Sequence, residues 1–269
     1  MHEGRPVSKR KMPSEAPIAE WRVQQTRLTC FPTPSAVLEG SKWWECVVGQ
    51  PPEEVISKPR NGRRICEGAV DIPETGVGKL SLYLRADRID WLLTSADDSE
   101  DEAAEVPTLG RFDSVVREFS AMARKWFDLP TCPSAQRLAF GAVLVSPVSD
   151  RPAGYKLLSE ILPVEIDPEG SSDFLYQINR PRDDVHGFRG LKINRLSKWS
   201  VMRRVQSTIT LSPSGGQVVP AQMNTACRLE LDINTAPDNT KDIARDRLDE
   251  LFAGLVGFGR EIAEQGDVR

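Results

Sequence analysis

Residues 191–211, LKINRLSKWSVMRRVQSTITL, alternate as strictly as any stretch of this 269-residue chain. Seven of the eleven odd-numbered positions are apolar: Leu191, Ile193, Trp199, Val201, Val205, Ile209 and Leu211. The even positions hold only Leu196 and Met202. Successive side chains of an extended strand point to opposite faces, so the pattern predicts a strand, or two joined at a bulge, with one buried face. The wet face carries Lys192, Lys198 and Arg204. So long a strand needs long neighbours, and a sheet shared between two parts of the chain would supply them.

The remaining elements fit such a sheet. Strands are predicted near 20–30, 63–72, 78–85, 88–95, 136–146, 173–180 and 224–234, with a tight RADR turn joining the third and fourth. TPSAVLEGSKWWECVVGQPP reads as a helix with Val37, Leu38, Trp44, Val47 and Val48 roughly on one face, Ser35 as its cap and Pro51-Pro52 as its stop. In RFDSVVREFSAMARKWFDLP, Phe112, Val115, Val116, Phe119, Met122, Ala123, Trp126 and Phe127 follow helical spacing over four turns. A short helix is expected near 152–162. A last one follows PDNTKD, with Ile243, Leu248, Leu251, Phe252, Leu255 and Ile262 on its apolar face. The expected fold class is α+β: two β-α-β-β-β-α halves, 18–130 and 131–269, forming mainly antiparallel sheets with helices packed on one face. Residues 1–17, polar and without periodicity, read as a disordered tail. The duplication is one of layout, with no residue-level repeat.

This order, together with LYLRADRIDW, FDSVVREFSAMARKWF and RLELDIN, resembles a sporadically distributed group of uncharacterised bacterial proteins that share the duplicated layout. The resemblance covers most of the chain. The group has no established chemistry, so it implies a bacterial origin and a fold but assigns no functional residue.

Composition narrows the function classes. The net charge is −4, yet the run DDSEDEAAE at 97–105 holds six acids and no base, leaving the remainder near +2. Bulk charge therefore argues against a general nucleic-acid binder, while a local basic patch stays open. The acidic run reads as a loop. The five cysteines are scattered and none forms C-x-x-C, so neither a disulfide framework nor a Cys-rich zinc site is expected, and a cytoplasmic location is. No stretch has the apolar length of a membrane span. Only two histidines occur, His2 and His186, which disfavours triad hydrolases and multi-His metal centres.

His186 lies in NRPRDDVHGFRG with Arg180, Arg182, Asp183, Asp184 and Arg189. It is a weak catalytic candidate, an acid–base beside a guanidinium phosphate clamp. A polar loop with local salt bridges is the commoner use of such residues. Lys192, Lys198 and Arg204 could track a phosphate backbone, but Glu230 and Asp232 on CRLELDIN offer them partners across the sheet. Arg195 and Arg203 point the other way. Trp43-Trp44 reads as core rather than a stacking platform. Gly254, Gly257 and Gly259 lack dinucleotide-binding spacing and a preceding strand. Ala253, Gly254 and Gly257 instead predict a close backbone approach by the last helix, as across a dimer.

The favoured expectation is a non-enzymatic bacterial cytosolic interaction or accessory protein, part of a multi-gene defence or toxin-control system. No metal or cofactor is expected. A protein partner is expected first, a homodimer next and no membrane. The alternative is a nucleic-acid-binding or RNA-processing protein using the 191–204 strand and the 180–189 loop. A hydrolase or transferase built on His186 ranks last.

Overall fold

The alternating stretch forms the longest strand of a ten-stranded antiparallel sheet. The structure is a computed structural model and describes residues 19–267 apart from 35, 59–61, 74–75, 96–105, 186, 207–208, 213–214, 219–221 and 240. The predicted tail, the acidic loop at 97–105, Ser35 and His186 thus lie outside the described residues.

The N-terminal part contributes β1 (Arg22–Pro32), α1 (Gly40–Val48), β2 (Glu54–Lys58), β3 (Arg63–Ile72), β4 (Gly76–Arg85), β5 (Arg88–Ser95) and α2 (Phe112–Phe127). The C-terminal part adds β6 (Ala135–Val148), α3 (Arg151–Ile161), β7 (Leu175–Asn179), β8 (Arg182–Val185), β9 (Phe188–Gln206), β10 (Ile209–Ser212), β11 (Gly215–Val218), β12 (Gln222–Thr235) and α4 (Leu248–Gln265). The strand order is β2-β3-β4-β5-β1-β6-β12-β9-β7, with β8 also on β9, and every pairing is antiparallel. The fold class is therefore mixed α and β with a large antiparallel sheet. Among the described residues no helix is long and apolar enough to cross a membrane.

The helices pack on one face of this sheet. Leu82 of β4, Trp91 of β5, Leu28 of β1, Phe140 of β6, Ile233 of β12 and Trp199 of β9 are all buried beneath them. All six tryptophans of the chain are buried. Trp43 and Trp44 are core, as their spacing suggested: Trp43 meets Trp126 edge-on at 5.6 Å, and Trp44 stacks on Trp91 at 6.2 Å. Phe252 of α4 joins this layer to Phe119, Phe127 and Phe140. Each such aromatic pair adds roughly 0.5–1.5 kcal/mol beyond its buried area.

Four sequence expectations are corrected. The long strand ends at Gln206, and Ile209–Ser212 pairs instead with Gly215–Val218 in a separate hairpin. Alternation reports which face is buried, not which strand is the partner. Nor does β9 owe its length to strands from the other part of the chain: β12 pairs along one edge, while β8 and β7 lie end to end along the other. The two parts meet at β1–β6. The first helix begins at Gly40 rather than near 35, because the Ala36 N–H donates to the Thr33 carbonyl and Val37 is 75 % exposed. Finally, Gly259 is the glycine that allows close approach in α4; a Cβ there would sit 2.8 Å from Phe140, whereas Gly257 faces open space. That approach is made within the chain, onto β6.

Candidate binding face

The side of the sheet away from the helices is polar. In register across seven strands run Glu67, Ser81, Leu92, Arg27, Gly141, Asp232 and Leu196. Gly141 has no side chain, and the Arg27 guanidinium lies over it; a Cβ at 141 would sit 3.4 Å from Nη2 and 3.5 Å from Nε. The result is a furrow at the middle of the face. Two grooves open from it, both lined by Gln25 and Arg27. One, of about 280 Å³, runs toward Lys198, Glu230 and Asp232; the other, of about 260 Å³, runs toward Arg63, Tyr83 and Asp90.

Most cations on this face are compensated. Arg88 bonds Asp90 at 2.7 Å, Lys79 bonds Glu67 at 2.8 Å, and Lys198 and Arg228 approach Glu230 at 3.2 and 3.3 Å. Arg63 lies over the Tyr83 ring, and Arg137 lies over Phe31 while donating to the Thr235 carbonyl. Burial pushes the Glu67 carboxyl up, but hydrogen bonds from Lys79, Ser81 and Tyr83, with the Lys79 charge, outweigh this and hold it below the usual carboxylate range. Arg27 differs. Among the described residues it has no ion pair or side-chain hydrogen bond, and its Nε is sealed from solvent without a partner.

The candidates drawn from sequence fall in three places. Arg180 and Arg182 belong to the helix side: Arg180 makes a two-pronged bond to Asp267 at 2.9 and 2.7 Å, and Arg182 bonds Glu261 at 2.8 Å. The supposed arginine loop is largely strand, β8 and the start of β9, and α4 with the residues just after it supplies the acids. Arg189 and Lys192 are exposed and line a cleft of about 390 Å³ at the start of β9, with Lys241, Asp238 and Asp242. Exposed cations keep their hydration there, so lacking a partner costs them little. Lys198 and Arg204 share the open face, with Lys198 tied to Glu230 as the cross-strand argument required. These residues do not form one basic patch.

Sequence reasoning missed two arginines of consequence. Arg195 occupies a buried odd position of β9, fully covered, with Nη2 bonded to Glu261 at 3.0 Å, its guanidinium over Phe258, and Nε and Nη1 without partners. Burial pulls its pKa down, partly offset by Glu261. A charge inside an apolar alternation was the available signal. Arg27 gave none, because its furrow exists only once residues 27, 141 and 232 are brought side by side. Among the described residues no three His, Cys, Asp or Glu side chains converge to hold a metal ion. Comparisons with family models, curated proteins and solved structures return no match for this chain.

Proposed function

We propose that the protein is a non-catalytic binding protein that receives a protein partner on the open sheet face, as an accessory component of a bacterial cytosolic multi-gene system. The observation that carries the reading is the Arg27–Gly141 furrow with its two grooves, on a sheet face bare of described helices. Concave ground with a few convergent polar groups is where binding concentrates. The bacterial part of the reading rests on the resemblance of the sequence to a bacterial group.

Photo-crosslinkers placed at Gln25 and Gln177 should capture a partner from the source cell, and the same captured protein should be lost on Gly141→Leu, which fills the furrow. Crosslinks forming only from positions on the helix side, or capture indifferent to Gly141→Leu, would remove this reading. We infer further that the two β-α-β-β-β-α halves share one layout. Supporting this, β1 and β6 lie side by side, and the strands read outward as β1-β5-β4-β3-β2 and β6-β12-β9-β7, with β8 beside β7 on β9.

Nucleic-acid binding is the second reading, favoured by Lys198 and Arg204 sharing this face. Glu230, Asp232 and Asp90 weigh against it, since carboxylates in the grooves repel phosphate. Binding that weakens steeply with salt and is lost on Lys192→Glu, Lys198→Glu and Arg204→Glu together would promote it.

A further inference from the structure

Resting on that reading, we propose that Arg27 is the anchor for a carboxylate, the side chain of an aspartate or glutamate presented by the protein partner. The argument begins with desolvation. Nε of Arg27 is buried against Gly141 and has no hydrogen-bond partner among the described residues, so one edge of the cation has lost its water without replacement. An uncompensated, partly desolvated charge is costly unless something pairs with it. Arg27 lines both grooves, and its terminal nitrogens, not sealed as Nε is, are the donors left to satisfy. A planar guanidinium end matches a planar carboxylate through two parallel N–H···O bonds, stronger than neutral hydrogen bonds.

The surroundings set the ligand class. Arg88, Lys79, Lys198 and Arg228 pair with Asp90, Glu67 and Glu230, and Arg63 lies over the Tyr83 ring, whereas Arg27 has neither an acid nor a ring among the described residues. A carboxylate brings it a single negative charge. A phosphate dianion would add a second negative charge beside Asp232, which lies in register across Gly141 and is held by the Asn234 amide at 3.0 Å. Leu92 and Leu196 border the same row, suiting the aliphatic stem of an acidic side chain.

The test uses the full chain labelled with ¹⁵N and acetate as the probe, with chloride and inorganic phosphate compared at equal ionic strength. A sealed Nε–H exchanges slowly with water, so Arg27 should give a resolved guanidinium signal, assigned by its disappearance in Arg27→Met. Acetate should shift that signal saturably in the millimolar range, and chloride should not. Asp232→Asn should tighten acetate binding, an independent check should Arg27→Met fold poorly. A shift absent with acetate, or equal with chloride, overturns the proposal. Tighter binding of phosphate than acetate also overturns it, in favour of a phosphate-bearing ligand. If acetate fails while crosslinks from Gln25 still capture a partner, the anchor falls and the binding face stands; if crosslinks map to the helix side, the binding face itself falls.

Discussion

Arg195 occupies a position that the alternation reserves for an apolar side chain, and it holds one acidic partner, Glu261. A fully covered guanidinium is tolerated only with its counter-charge, so Glu261→Ala should destabilise the protein by about 3 kcal/mol in urea titration. Arg195→Met combined with Glu261→Gln should recover most of that loss, because a buried ion pair is stabilising mainly relative to a broken one. If Glu261→Ala costs less than about 1 kcal/mol, water reaches Arg195. Glu67 gives a pH prediction. Its folded pKa lies below its unfolded one, so the stabilisation is fully in place above the unfolded value of about 4.3. It is lost as acid carries the pH down through the folded pKa. Glu67→Gln should therefore flatten the acid limb of a stability–pH curve while leaving the neutral-to-alkaline limb unchanged.

At the scale of elements, α2 is the keystone of the helix layer. Phe119 is buried at the middle of its inner face, 6.4 Å from Phe252 of α4. Phe119→Ala should cost about 3–5 kcal/mol by urea titration, the usual result of emptying a buried aromatic site. Gly259→Val should lower stability by about 1–3 kcal/mol, since the new side chain must displace Phe140, and Gly257→Ala should be neutral or stabilising. This helix was legible because sixteen residues repeat one period, and the longer strands were legible by their alternation. The strands β2 and β8 were not. Five and four residues are too few to establish a period. Edge strands also carry charge on both faces, and Arg182 of β8, like Arg180 just before it, answers an acid some eighty residues onward, Glu261 and Asp267 respectively. The furrow was illegible for a related reason: Gly141 looks like an ordinary glycine inside a strand until Arg27 is laid over it.

Across the whole molecule, β1 and β6 lie at the interior of the sheet, each flanked on both edges, whereas β2 and β7 close its ends. Native-state hydrogen exchange should therefore be slowest in Leu28, Cys30, Leu138 and Phe140 and fastest in β2 and β7, because opening at an end disturbs fewer neighbours. Equal protection across all strands would mean that the sheet opens only as one unit. The placement of β1 also matters before the chain is complete. Its hydroxyl-bearing Thr26 bonds the Gly141 carbonyl 115 residues downstream, and the Trp21 indole N–H donates to the Ala263 carbonyl 242 residues away. Ribosomes add about 5–20 residues per second, so a nascent chain holds β1 with one edge unpaired for on the order of ten seconds before β6 emerges. During that interval β1 is an open template for any extended strand nearby, including another nascent copy on the same message. Translation that pauses between residues 95 and 135 should lower the soluble yield of the finished protein, and a holdase bound at the tunnel exit should restore it.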